Sequence, residues 1–259
     1  MEQVCLITGS TGIAAATAKE MAVRGWRVFI ASLTEQNCRD LAQEIRPIQP
    51  EADYLALDLT EPSSAKGLVH ACVSRFGRLD ALYNVAGISG RKFGDGGPLE
   101  CTDEGWEKVL SANAQTQFRM CQEAARQMLA QSPAEDGSRG VLLNMSSILA
   151  IDPMPSLFSA TAYAASKGAI ISLTRHLAAH FAPERIRVNA IAPGLVATRM
   201  SARASESPEI VARMQQKQPL ADGLIAVEDV AAASAFLLSK ESRAITGQVL
   251  VVDGGWSVS

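Results

Sequence analysis

The chain opens on an unbroken apolar run, Val4-Cys5-Leu6-Ile7-Thr8, that passes directly into Gly9-Ser10-Thr11-Gly12 and an alanine-rich segment. An apolar run without alternation is what a strand buried on both faces looks like, and such strands belong to parallel sheets. Parallel neighbours need a crossover between them, so a helix over residues 13–24 and a second strand over 27–31 complete a βαβ unit. The alternation continues along the chain. Helices are predicted over 36–45, 63–76, 103–129 as one long helix, and 161–181. Strands are predicted over 54–57, 81–84, 141–146, 187–191 and 248–252. Regular alternation of this kind implies a parallel sheet covered by helices on both faces.

The loop after the first strand is suited to a phosphate. Glycines let the chain turn tightly, and the N-terminus of the next helix offers unpaired N–H groups with partial positive charge, as the pyrophosphate of a dinucleotide requires. Gly9, Ser10, Thr11, Gly12 and Ile13 are therefore candidate cofactor contacts, although the same residues would also make an ordinary strand-to-helix turn. The second strand runs out at Ser32, where a carboxylate would bind the ribose hydroxyls of NAD. Ser32 has no charge to repel a 2′-phosphate, and neither Leu33 nor the loop supplies a cation to attract one. NAD and NADP both stay open, with the Ser32 and Thr34 hydroxyls inclining the choice to NADP. Asp58, with Leu59 beside it, follows the third strand. It is placed either to accept from the adenine amino group or to cap the next helix.

Composition narrows the class. A length of 259 residues suits one α/β domain, and 47% apolar against 20% charged residues supplies a core for both faces of a sheet. A formal charge of -3 without blocks of like charge offers nothing to nucleic acid or an anionic membrane. No apolar run approaches ~20 residues and no leader pattern follows Met1, so a soluble cytoplasmic protein is expected. The five cysteines (Cys5, Cys38, Cys72, Cys101, Cys121) show no metal-ligand spacing and are expected to be small core residues in a reducing compartment. No metal is expected. Of the turn-rich stretches 87–98, 132–140 and 201–219, the first and last follow strand ends, the side on which open α/β sheets bind ligands.

The candidate chemistry lies in Tyr163-Ala-Ala-Ser-Lys167. A phenol titrates near pH ~10 and is a poor acid or base at neutrality. On a helix, residues at i and i+4 share a face, so the Lys167 ammonium is expected beside the phenol oxygen, lowering its pKa. Asn113 and Ser147 lie upstream.

Taken in order, Thr8-Gly9 with Gly12, Asp58, Asn84-Val85-Ala86-Gly87, Asn113, Ser147, Tyr163-x-x-x-Lys167, Pro193-Gly194 followed by Thr198, and the ending from Thr246-Gly247-Gln248 to Asp253-Gly254-Gly255 cover essentially the whole chain. In this order and spacing the chain resembles the short-chain dehydrogenase/reductase family, in its single-domain branch. The resemblance implies a Rossmann-like, doubly wound, seven-stranded parallel sheet in one domain over residues 1–259, and reversible hydride transfer between a nicotinamide and a carbonyl or alcohol substrate. It also implies a role for each matching residue. Tyr163 would be the general acid/base, and Lys167 would lower its pKa and hold the nicotinamide ribose. Ser147 would bind the substrate oxygen and Asn113 a relay water. Asn84, Ala86 and Gly87 would stabilise the central strand and admit the adenine ribose. Pro193, Gly194, Val196 and Thr198 would line the nicotinamide. A homo-oligomer, tetramer or dimer, is implied as well, with helices 103–129 and 161–181 and the C-terminal strand at the interfaces.

Departures from the family pattern are informative. Only Ser10 and Thr11 separate Gly9 from Gly12, and Ala14 stands where the motif ends in glycine. This spacing resembles the extended branch, whose epimerases and dehydratases act on nucleotide sugars, but the chain is expected to leave no separate substrate domain after its last strand. The short loop also favours a second reading, a dinucleotide-binding regulator or scaffold without turnover, which the complete Asn-Ser-Tyr-Lys set opposes. The stretch from Ser147 to Tyr163 is longer than usual in the family. Its Met154, Leu157 and Phe158 fit either a substrate-pocket wall or a subunit contact. Residues 200–219 are expected to form a flap over the pocket, and the substrate is not identified.

Overall fold

The computed structural model describes residues 2–259, and Met1 lies outside the described residues. Strands β1 (Val4–Thr8), β2 (Arg27–Ser32), β3 (Asp53–Ala56), β4 (Ala81–Asn84), β5 (Gly140–Met145), β6 (Ile186–Pro193) and β7 (Val249–Val252) form a seven-stranded sheet in the order β3-β2-β1-β4-β5-β6-β7. Every adjacent pair is parallel. The helices are α1 (Ile13–Val23), α2 (Glu35–Ile45), α3 (Ser64–Phe76), α4 (Asp103–Leu110), α5 (Thr116–Ala130), α6 (Thr161–Phe181), α7 (Ala202–Ser205), α8 (Pro208–Lys217) and α9 (Val227–Leu238). The strand order reverses direction at β1 and β4, which end side by side with Thr8 paired to Asn84. Beyond that pair the two chains part, and a crevice opens at the switch point.

Alternate strand residues serve opposite faces, as the two-residue period of a strand demands. Cys5, Ile7, Val28, Ile30 and Tyr83 pack with α1, α2 and α9. Val4, Leu6, Phe29 and Leu82 pack with α3 and α5. Small residues let α1 and α9 approach closely: Ala14, Ala18 and Ala22 on one, Ala231 and Ala235 on the other, all buried. All five cysteines are free: Cys5, Cys38, Cys72 and Cys121 are buried as expected, whereas Cys101 is only partly buried and does not take the expected core place. Among the described residues no helix is long and apolar enough to cross a membrane.

Buried polar groups tie the layers together. The carboxylate of Asp80 accepts from the backbone N–H of Val4 at 2.9 Å and from Arg78, whose Nη2 lies 2.6 Å from Oδ1. Tyr83 Oη and Ser234 Oγ, 2.7 Å apart, join β4 to α9. Asn84 Nδ2 donates to Asn144 Oδ1 at 2.9 Å, and Asn144 Nδ2 to Thr174 Oγ1 at 3.0 Å, joining β4 through β5 to α6.

Two helical regions differ from the sequence expectation. The long helix over 103–129 is not continuous: a π-helical turn, Ser111–Gln115, separates α4 from α5. The Thr116 hydroxyl donates to the carbonyls of Ala112 at 2.8 Å and Asn113 at 3.1 Å, taking up acceptors that the wide turn releases. Hydrophobic periodicity cannot show one inserted residue, and such turns are frequent at functional sites. The stretch 201–219, read as turn-rich, contains α7 and α8. Ser207 caps α8 by accepting from Ile210 N–H, Pro208 occupies its first turn, and Ile210 and Met214, one turn apart, are buried. Helix α9 carries almost no polar face because it lies against the sheet, so its sequence shows no amphipathic period.

Asp80→Ala removes the carboxylate that accepts from the buried Val4 N–H and pairs with Arg78. It should lower unfolding stability by about 2–3 kcal/mol, with Asp80→Asn losing less. Urea denaturation of the two variants checks this.

Candidate active site

A cleft of about 350 Å³ lies beyond the C-terminal ends of the central strands. One end is formed by Gly9, Thr11, Gly12 and Ile13 at the start of α1. Ala86 and Gly87 after β4, and Pro193, Gly194, Val196 and Thr198 at the end of β6, line its middle. Ser147, Tyr163 and Lys167 share the same wall. Of the other residues singled out by sequence, Ser10, Ser32, Asp58, Leu59, Asn84 and Asn113 do not line this cleft.

The glycine loop is conformationally demanding. Gly9 and Gly12 have φ of 105° and 55°, in the region side chains rarely adopt. A Cβ on Gly9 would stand 2.9 Å from the Ala14 Cβ, and one on Gly12 would stand 3.1 Å from Thr198 Cγ2. Ala14 thus replaces the last motif glycine by packing its methyl against Gly9, and the short loop closes on Thr198. No side chain caps α1, so its first-turn N–H groups, which helix geometry leaves unpaired, stand at the cleft. These are features that fit a pyrophosphate. A Cβ on Gly87 would meet Asn113 Oδ1 at 2.7 Å and Lys167 Nζ at 3.7 Å, so only glycine fits there.

At the end of β2 the Ser32 hydroxyl lies 2.7 Å from that of Ser10 and accepts from Cys38 Sγ at 3.3 Å. Its hydrogen bonding is directed to the glycine loop and to α2. Asp58 closes a turn on Thr60, accepting from its N–H at 2.8 Å and its hydroxyl at 2.7 Å, and does not cap α3, whose N-cap is Ser63. The Thr60 side chain and backbone hydrogen bonds hold this carboxyl below its ordinary pKa. Leu59 belongs to the core beneath α3 and α5. Asn84 is 1% exposed and supports β4 and β5 from within, with its side chain out of the cleft.

The reactive end departs from expectation in one respect. Lys167 Nζ donates to the carbonyl of Met145 at 2.9 Å and lies 5.5 Å from the centroid of the Tyr163 ring. Burial lowers the Lys167 pKa from 10.5 to about 7. Burial also raises Tyr163 above the ordinary phenol value, opposed only by its hydrogen bond with Ser147. The expected depression of the phenol by Lys167 is therefore not present in the protein groups alone, because withdrawal from water disfavours both charged forms. Ser147 follows β5 and accepts from Leu149 N–H at 3.2 Å. Ser146 donates to the carbonyl of Lys167 at 2.9 Å, fastening α6 to the sheet. Asn113, on the π turn, accepts from Ile88 N–H at 2.8 Å and donates to Ile88 O at 3.1 Å and to Ser166 Oγ at 3.0 Å. Its amide clamps the loop after β4 to α6.

Three features escaped sequence reading. Asp95, 6% exposed, accepts from the backbone N–H groups of Ala162 at 2.9 Å and Tyr163 at 3.0 Å, and so caps the helix that carries the tyrosine. A capping residue so far from its helix in sequence leaves no local signal. Thr8 Oγ1 accepts from Val85 N–H at 3.0 Å and Ala86 N–H at 3.2 Å, shaping the exit from β4. Trp256, 1% exposed, lines the cleft with Phe158, the ring centroids 5.7 Å apart. Met154, Leu157 and Phe158 pack in one cluster with Ile148, Ala204, Met214 and Trp256, and of the three Phe158 lines the cleft.

Comparison with known proteins agrees with this geometry. The family model described as enoyl-(acyl carrier protein) reductase matches residues 7–257. The chain is 33% identical to the 3-oxoacyl-[acyl-carrier-protein] reductase FabG of Thermotoga maritima over 98% of this chain and 97% of that one. It is 35% identical to the 2,5-dichloro-2,5-cyclohexadiene-1,4-diol dehydrogenase LinX of Sphingobium indicum over 99% of this chain and 96% of that one. Among solved structures, gox2181 superposes with a TM-score of 0.91 at 28% identity, covering 100% of this chain and 96% of that one. An actinorhodin polyketide ketoreductase variant with NADPH gives 0.88 at 30% identity, covering 100% and 98%. With its parallel sheet, glycine loop and ordered motifs matched along nearly its full length, the chain belongs to the short-chain dehydrogenase/reductase family.

Proposed function

We propose that this protein interconverts a carbonyl and a secondary alcohol as an NAD(P)-dependent oxidoreductase, with Tyr163, Lys167, Ser147 and Asn113 as its catalytic set. The observation that carries this reading is that Tyr163, Lys167 and Ser147 share one cleft with the glycine loop and the uncapped start of α1. Gly9, Ser10, Thr11, Gly12 and Ile13 would hold the pyrophosphate, Ser32, Asp58, Leu59, Asn84, Ala86 and Gly87 would form or support the adenosine side, and Pro193, Gly194, Val196 and Thr198 would line the nicotinamide. The absence of a carboxylate at the end of β2 favours NADP over NAD, although the Ser10 and Ser32 hydroxyls already face one another. When bound, the nicotinamide supplies or accepts the hydride.

The residues of the chain manage the proton. Ser147 and Tyr163 donate hydrogen bonds to the substrate oxygen, and Tyr163 gives its proton to that oxygen as negative charge develops there. A neutral tyrosine, which burial favours, is the form needed for reduction. Lys167 titrates near neutrality and can return a proton to the phenolate, while in its charged form it stabilises that phenolate. Asn113 holds the loop after β4 against α6 and would position a relay water. The whole chain, 1–259, is read as one dinucleotide-binding domain with residues 200–219 as a flap, in a cytoplasmic homo-oligomer. The free, buried cysteines favour the reducing compartment.

Parallel fluorescence titrations with NADPH and NADH should show binding, tighter for NADPH, and a panel of ketones should then be reduced. Binding without turnover of any carbonyl would instead favour a dinucleotide-binding regulator. Tyr163→Phe should lower kcat by at least about 100-fold while the cofactor still binds, and near-normal turnover in that variant would refute the assignment. Lys167 gives a stability signature as well. Its pKa is about 7 folded against an ordinary 10.5, so between those values the unfolded chain binds more protons and stability must rise with pH. Lys167→Met should lack this rise, read as the difference between the two urea-midpoint profiles. Parallel profiles would show that the amine is not buried as a cation-disfavouring group.

A further inference from the structure

The outer part of the cleft carries a charge pattern that proton and hydride transfer do not use. Arg91, in the short 3-10 turn Arg91–Phe93 after β4, and Arg203, in α7, both line the cleft that contains Ser147 and Tyr163. They come from segments far apart in sequence and are both exposed. Elsewhere Arg24, Arg27, Arg39 and Arg75 are paired with carboxylates. Among the described residues neither the Arg91 nor the Arg203 guanidinium has an ion pair or a hydrogen bond. The two are close enough to repel: after partial burial, the Arg203 charge is what most disfavours the protonated form of Arg91, with Asp95 opposing it. Asp95 does not neutralise the pair, because its two oxygens accept from the N–H groups of Ala162 and Tyr163. Arg199 lines the same cleft, likewise without an ion pair or hydrogen bond among the described residues, so the cationic character of this opening is shared by three arginines in a chain of net charge -3.

The same cleft is also lined by the apolar side chains of Ile148, Leu149, Phe158, Ala204 and Trp256. The indole N–H of Trp256 is buried without a hydrogen-bond partner, a further donor in the same wall. The cleft therefore offers an oxygen-binding end at Ser147 and Tyr163, an apolar wall, and a cationic opening.

We propose that the substrate is an anionic carbonyl or alcohol compound, with an apolar body between the reacting carbon and a carboxylate or phosphate group that Arg91 and Arg203 receive. This rests on the oxidoreductase reading above and names the substrate class of the same site. Guanidinium groups bind such anions through paired, charge-assisted hydrogen bonds. Because Arg91 lies on the loop after β4 and Arg203 on the flap, one anion between them relieves their repulsion and draws the flap over the substrate.

The test compares anionic and neutral members of matched pairs: benzoylformate with its methyl ester, levulinate with its methyl ester, and dihydroxyacetone phosphate with dihydroxyacetone. In at least one pair the anionic member should have kcat/KM higher by about tenfold or more, mainly through KM, and the advantage should shrink with added salt. The two carboxylate pairs and the phosphate pair separate the two anion types. In Arg91→Gln and in Arg203→Gln the advantage should collapse to within about twofold. Equal use of both members, or preference for the neutral one, overturns the proposal and leaves the oxidoreductase reading intact. Calorimetric titration of the same pairs into Tyr163→Phe measures affinity without turnover. Anion-selective binding lost in the glutamine variants sustains the site, and absent or unselective binding overturns it. Selective binding with no turnover of any pair by the unmodified enzyme counts against hydride transfer alone.

Discussion

Everything functional in this molecule depends on the parting of β1 and β4. The two strands pair in parallel up to Thr8 and Asn84, and the chain then leaves in opposite directions. A single hydroxyl manages that exit: Thr8 Oγ1 accepts from both Val85 and Ala86 N–H groups. Gly9 turns away at positive φ on one side, and Gly87 passes close to Asn113 and Lys167 on the other. Both glycines are needed because side chains there would collide with the groups that define the crevice.

The second organising constraint is the anchoring of α6. Its start is held by Asp95 through the N–H groups of Ala162 and Tyr163, and its carbonyl at Lys167 by Ser146. Lys167 Nζ reaches the Met145 carbonyl at the end of β5. Asn113 adds a tie from the π turn to Ser166 and to Ile88. The tyrosine thus stands on a helix fixed from the sheet, from the loop after β4 and from α4–α5. Such rigidity suits the proton-donor role proposed for Tyr163.

Burial of this framework sets its electrostatics. Removal from water lowers Lys167 to about 7 and raises Tyr163, so the pair in the protein is a neutral phenol beside an amine near its titration point. A helical i, i+4 argument concerns only the mutual field of two side chains. In a buried wall the solvation lost by each outweighs that field, and the ammonium finds a carbonyl rather than the phenol.

The sequence alone was enough for the parallel sheet and the glycine loop, which depend on local rules: unbroken apolar strands and glycine at positive φ. It was also enough to expect unpaired cysteines, four of the five buried in the core. The grouping of Ser147 with Tyr163 and Lys167 was expected from the family resemblance rather than from spacing, and the three line one cleft. Other features required the folded chain. The π turn at Asn113 is one inserted residue that no apolar period reveals, and α9 is charged only in its first turn, with Glu228 and Asp229, because most of the rest is packed against the sheet and α1. Asp95 caps a helix that begins far along the chain, Asp58 turns onto Thr60, and Arg91 and Arg203 line one cleft. Each depends on which distant segments become neighbours and on how much water is excluded between them. Those are properties of tertiary packing, and they decide the charge and proton affinity of the site.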